Sequence, residues 1–168
     1  MPEPLTRRAS LLIALAVFAV DRVSKYIVEA HVSAFDVKPV IPGFFDIVKS
    51  HNAGVAFGIF AESSSGLRTA ILIAFSVAAL AAMGGMLWRI ARLDRPTAIG
   101  LSLIFGGALG NVLDRVLFGS VTDFLDFHVA DYHWYTFNIA DSAISSGAVL
   151  ILLSMLRTSP ARSRKVAG

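Results

Sequence analysis

The stretch "GSVTDFLDFHVADYHWYTFNIADS", residues 119–142, holds four aspartates: Asp123, Asp126, Asp131 and Asp141. Two carboxylates a few ångströms apart cannot both ionise easily, so one keeps its proton while the other stays charged. Such a pair is an acid and a base that can drive water onto an amide carbonyl. Asp123 and Asp141 are the candidates, each in an apolar setting ("VTDF" and "NIAD") at opposite ends of one segment whose ends return to neighbouring helices. Asp126 and Asp131 read as solvated loop acids. On spacing alone, acids that pair helices or relay protons compete with the hydrolytic reading.

Other chemistries find less support. His31, His51, His128 and His133 fall in no recognised zinc spacing. Ser120 follows Gly119 without a G-x-S-x-G elbow. With no cysteine there is no thiolate nucleophile and no disulfide framework. Phosphate-binding and dinucleotide fingerprints are absent too, so no metal and no cofactor is expected.

The elements that must position these acids are apolar. The 168 residues are 55% hydrophobic and 16% charged, against roughly 45–50% and about 25% in soluble domains. Four stretches approach the roughly 20 residues that cross a hydrocarbon core: about 10–28, 69–88, 97–117 and 139–156. The first resembles a signal peptide in its Arg7–Arg8 lead. Its helical pattern runs on through "DRVSKYIVEA" with no small-residue cleavage site, which favours a retained helix.

Arg7, Arg8, Arg89, Arg92, Arg95, Arg157, Arg162, Arg164 and Lys165 all fall on one side of this threading. The positive-inside rule makes that side cytoplasmic and puts both termini there. Anionic lipid then accounts for the net charge of +3, and no nucleic-acid partner is needed. The expected fold is a single integral membrane domain, residues 1–168: a membrane all-α bundle of four transmembrane helices with a small extracytoplasmic β-sheet and loop segment at 29–66. Residues 118–138 form a second outer loop.

Ionisable side chains inside spans are costly and mark function or pair with one another. Asp21 and Lys25 are four apart on one helical face. "GGALGNVLDR" places Asn111, Asp114 and Arg115 on another face, with glycines that admit a close neighbour. Asn138 and Asp141 open the last span. All fall in the outer third of the membrane, in one layer. Blander roles are available: Arg22, Lys25 and Arg115 can snorkel to headgroups, Asp114 beside Arg115 can be an intrahelical or interhelical ion pair, and Asn52 and Asn111 can join helices.

Taken in order, "DRVSK" (21–25), "NAGVAFG" (52–58), "GGALGNVLDR" (106–115), "GSVTDFLDF" (119–127) and "FNIADS" (137–142) resemble the motifs of bacterial lipoprotein signal peptidase, signal peptidase II. The resemblance covers all four spans. It implies an aspartyl endopeptidase of the bacterial inner membrane, multi-pass, with its active site near the extracytoplasmic face. Its substrates would be diacylglyceryl prolipoproteins, cut just before the lipidated cysteine, and the cyclic peptide globomycin would inhibit it. It further implies that Asp123 and Asp141 are the catalytic pair. Asp21, Lys25, Asn52, Gly54, Asn111, Asp114, Arg115 and Asn138 would bind substrate or orient the dyad. The family often carries a proline before the Phe-Asn pair, whereas Tyr135 and Thr136 stand here. The outer segment 29–66 is expected to clamp the substrate from above, with Phe44, Phe45, Phe57 and Phe60 dipping into the interface. A small proton-coupled carrier or assembly factor using the same acids is the alternative, as is a purely structural subunit.

Overall fold

The computed structural model describes residues 4–54, 65–90 and 93–158. Phe57, Phe60, Arg92, Arg162, Arg164 and Lys165 lie outside the described residues. The elements in order are α1 (Arg7–His31), β1 (Lys38–Ile41), β2 (Phe45–Asn52), α2 (Ser65–Trp88), α3 (Arg95–Phe118), β3 (Val121–Val129), β4 (Tyr132–His133) and α4 (Ile139–Thr158).

Helix boundaries follow local chemistry. Thr6 caps α1 by accepting from the Ala9 N–H, and Asp94 caps α3 by accepting from Thr97, with Pro96 in the first turn. Gly119 ends α3 at φ 74°, a left-handed conformation that costs glycine little. Asp94 also accepts from Ser154 Oγ at 2.5 Å, which ties the start of α3 to the end of α4.

α3 is the central helix, packed against α1, α2 and α4. Its glycines permit this: a Cβ on Gly106 would meet the Ala14 carbonyl, one on Gly107 the Ala140 carbonyl, and one on Gly100 the Gly147 carbonyl. Small residues let backbones approach where lipid supplies no hydrophobic drive between helices.

The burial pattern is inverted relative to a soluble protein. Lys25, Asn138, Asp21 and Asp114 are among the largest fully buried side chains, while Phe75, Trp88 and Leu152 are exposed. Apolar surface on the outside is what a hydrocarbon solvent requires. Among the described residues three helical segments are long and apolar enough to cross a membrane: Thr69–Trp88, Arg95–Phe118 and Ile139–Arg157. α1 is long enough too but is interrupted by Asp21, Arg22 and Lys25, and it is not among the three.

The sheet differs from expectation. Residues 118–138 do not form a plain loop: β3 runs through them and pairs antiparallel with β2, giving the strand order β1-β2-β3-β4. The sheet is thus assembled from two segments far apart in the chain, the one before α2 and the one after α3. Its central register sets Ser50 opposite Asp123, His51 opposite Thr122 and Asn52 opposite Val121. Phe137 then pairs with Leu125, so the chain returns along β3 before entering α4.

Candidate active site

The site grows from the first turn of α4. Asn138 is its cap: Asn138 Oδ1 accepts from the Asp141 N–H at 2.9 Å, and the Asn138 N–H donates to Asp141 Oδ2 at 3.3 Å. This is a reciprocal capping box in which Asn and Asp replace the more usual Ser and Glu. The Ala140 N–H, another donor without a helical partner, goes to Asp21 Oδ1 at 3.0 Å. Asp141 is therefore fixed by the helix start it helps to cap.

Asp123 arrives from β3. Its Oδ1 accepts from Asn138 Nδ2 at 2.7 Å and its Oδ2 from Asn52 Nδ2 at 3.0 Å. The Asn52 amide is oriented in turn because its Oδ1 accepts the Gly54 N–H at 2.8 Å. Gly54 sits at φ 82°, and a Cβ there would strike the Leu72 side chain, so the position needs glycine. Burial, reinforced by the Asp141 charge, pushes the Asp123 carboxyl up to about 6 against the opposing hydrogen bonds from Asn52 and Asn138.

Asn111 of α3 joins the two acids from below. Its Nδ2 donates to Asp141 Oδ1 at 2.8 Å, and its Oδ1 accepts from Asn138 Nδ2 at 3.2 Å and from Lys25 Nζ at 2.9 Å. Lys25 also bridges Asp21 at 2.9 Å and Asp114 at 2.8 Å, and Asp114 pairs with Arg22. Arg115 Nη1 donates to the Asn111 carbonyl at 3.3 Å, within electrostatic reach of Asp141 and Asp123. Its Nε is buried with no hydrogen-bond partner among the described residues.

All ten residues singled out from the sequence therefore lie in one connected network. Two readings are corrected. Asp126 is not a solvated loop acid: it is buried in the sheet and contacts His133 Nδ1 at 2.8 Å, because β3 turns it inward, whereas Asp131 is exposed. Arg22 pairs with Asp114 across helices and does not simply snorkel. For Asp114 the interhelical alternative holds: its ion pairs run to α1, with Lys25 and Arg22. Phe44 and Phe45 both pack on Phe127, at ring-centroid separations of 5.5 and 4.6 Å.

Thr122 was missed. Its carbonyl accepts from Asn138 Nδ2 at 3.3 Å. The β-branched and aromatic residues of "VTDFLDFHV" were a strand signal, masked by the interleaved acids. A cavity of about 410 Å³ opens beside Asp123, lined by Ser50, His51, Asn52, Tyr135 and Thr136. A second, of about 560 Å³ between α2 and α3, has Arg115 on its wall.

Apolar helices outside, a polar network inside and two linked carboxylates at the sheet define a membrane-embedded protein with a buried acidic site. The family model for signal peptidase (SPase) II matches residues 13–157. A lipoprotein signal peptidase from Solibacter usitatus is 56% identical over 145 residues, covering 86% of this chain and 88% of the relative. One from Polynucleobacter necessarius is 43% identical over 155 residues, covering 91% and 92%. A solved bacterial membrane enzyme, determined by the in meso method at 2.3 Å, superposes with a TM-score of 0.83 at 33% identity over 100% of this chain and 99% of the other. The chain belongs to the signal peptidase II family and is a protease.

Proposed function

We propose that the chain is an aspartyl endopeptidase of the bacterial inner membrane that removes signal peptides from diacylglyceryl prolipoproteins just before the lipidated cysteine. The observation that carries this reading is that Asp123 and Asp141 both bond to Asn138, with the Asp123 carboxyl raised to about 6. Burial and the neighbouring Asp141 charge favour the protonated form of Asp123.

In the proposed reaction the ionised member takes a proton from water as the water oxygen bonds to the scissile carbonyl carbon. The protonated member hydrogen-bonds the carbonyl oxygen and stabilises the tetrahedral intermediate. A proton then passes to the amide nitrogen, the C–N bond breaks, and the pair returns to its singly protonated state. Arg115 Nε, without a hydrogen-bond partner among the described residues, is a cationic donor for a substrate carbonyl, and Asn52, Asn111 and Asn138 hold the carboxylates in register. Asp21, Lys25 and Asp114 are the scaffold beneath.

The proposed topology has α1 as a fourth span, both termini cytoplasmic, and residues 1–168 as one membrane domain. α1 supports this because its charges are paired inward, with Lys25 and Asp21 buried. The sheet then lies at the outer surface, where a lipid-anchored substrate holds its scissile bond.

The test is purified protein in detergent with a diacylglyceryl prolipoprotein, with and without globomycin. Cleavage that needs both aspartates and is blocked by globomycin supports the reading. Cleavage indifferent to Asp123→Asn and Asp141→Asn refutes it.

A further inference from the structure

α1 presents Asp21, Lys25 and Glu29 at successive four-residue intervals, hence along one face. Each touches a different part of the site. Asp21 holds the Ala140 N–H, one residue before Asp141. Lys25 holds Asn111, which bonds Asp141. Glu29 Oε1 accepts the Thr122 hydroxyl at 2.8 Å, one residue before Asp123.

We infer that Glu29 is a positioning residue for Asp123: by holding the Thr122 hydroxyl it sets the height on α1 at which β3 delivers Asp123 to Asn138. The inference rests on the dyad reading above. Thr122 and Asp123 are consecutive, so their side chains leave the strand on opposite faces. Glu29 thus grips the face of β3 turned away from Asp123, beside a cavity of about 370 Å³ lined by Arg22, Tyr26, Glu29, His51, Phe118 and Thr122. Thr122 is buried, and its carbonyl meets the same Asn138 Nδ2 that donates to Asp123. A slip of β3 along α1 would therefore lengthen the Asn138–Asp123 bond directly.

Glu29 has other partners, Lys49 at 3.6 Å and His51 at 3.7 Å. Both contacts are long and partly exposed, and pairs of that kind contribute little. The short bond to the buried hydroxyl is the one that can transmit position. Small displacements of a reacting group lower the rate of chemistry more than they weaken binding remote from it.

The experiment measures kcat and KM on a diacylglyceryl prolipoprotein for wild type, Glu29→Ala, Glu29→Gln, Thr122→Val, the double variant E29A/T122V, Lys49→Ala and Asp123→Asn. Glu29→Ala and Thr122→Val are each expected to lower kcat about tenfold with KM unchanged. The double variant falls no further, since both remove one tether. Glu29→Gln, which still offers an oxygen to the hydroxyl, returns kcat to within about twofold of wild type, and Lys49→Ala leaves it unaltered. Thr122→Val stands alone as the test if Glu29→Ala fails to fold. Wild-type kcat in both single variants, additive losses in the double, a change in KM alone, or a Lys49→Ala loss equal to that of Glu29→Ala each overturns the tether while leaving the dyad intact. Full cleavage by Asp123→Asn is the separate result that overturns the dyad and the tether together.

Discussion

The side-chain amide of Asn138 donates to the Asp123 carboxylate at 2.7 Å, and through its backbone N–H and side-chain oxygen the same residue brackets Asp141. One asparagine thus performs two tasks that are separable in most helices. It caps α4, and it fixes the distance between the two acids. Replacing it by alanine removes an N-cap, at about 1 kcal/mol, and leaves Asp123 short of a buried donor, at about 1–3 kcal/mol. Asn138→Ala is expected to unfold at lower temperature in detergent and to lose roughly 100-fold in kcat. Unaltered cleavage kinetics would contradict the shared role.

Asp123→Asn and Asp141→Asn are near-isosteric and sit at the sheet and at the first turn of α4. Each is expected to reduce cleavage by about 10³-fold or more while the protein stays inserted and monodisperse on size-exclusion chromatography. A carrier would tolerate loss of Asp123 far better than loss of Asp141. A variant of either residue that keeps a tenth of wild-type turnover would speak against hydrolysis by the pair.

The raised Asp123 carboxyl gives a pH signature. Its folded value of about 6 exceeds the unfolded 3.8, so the unfolded chain releases this proton first as pH rises. Stability from this group is fully present below about pH 4 and is lost as pH rises through about 6. A shift of that size corresponds to about 3 kcal/mol. Thermal unfolding of wild type should therefore fall between pH 4 and 7 more steeply than that of Asp123→Asn, in which the group no longer titrates. Parallel curves would show that the carboxyl is not perturbed.

Among the described residues Lys25 is the only cation that bridges both Asp21 and Asp114, and all three are buried. Lys25→Met leaves Asp21 without a cation while Asp114 keeps Arg22, an effect of about 3–5 kcal/mol. The variant should express poorly or unfold early, and the double variant K25M/D21N should recover part of the loss because the uncompensated carboxylate is gone while Asp114 retains Arg22. Chemical denaturation in mixed micelles measures both.

Gly107→Ala tests the α3–α4 approach. A Cβ there meets the Ala140 carbonyl and pushes away the turn that carries Asp141. A drop in both activity and thermal stability is expected, whereas Gly85→Ala in α2, with open space around it, should be neutral or slightly stabilising. Equal effects of the two would remove the packing argument.

The chain itself determined a good deal. Apolar runs and charge placement foretold α2, α3 and α4 within a few residues, because hydrocarbon thickness and the 1.5 Å rise of a helix leave little freedom. The polar residues stranded in those runs pointed to the groups that meet in the buried network, since lipid tolerates them only in company. The strand through residues 121–129 stayed hidden: its period-two pattern is interrupted by Asp123 and Asp126, which look solvated until a partner strand and His133 enclose them. The same holds for Glu29, whose partner Thr122 lies 93 residues away. Tertiary structure alone decided which polar groups meet. Residue type fixes what a side chain can donate or accept, but a hydrogen bond requires about 3 Å between atoms, and only the packing of α1, α3, α4 and β3 around glycine contacts brings Asp21, Asn111, Asp123 and Asn138 that close.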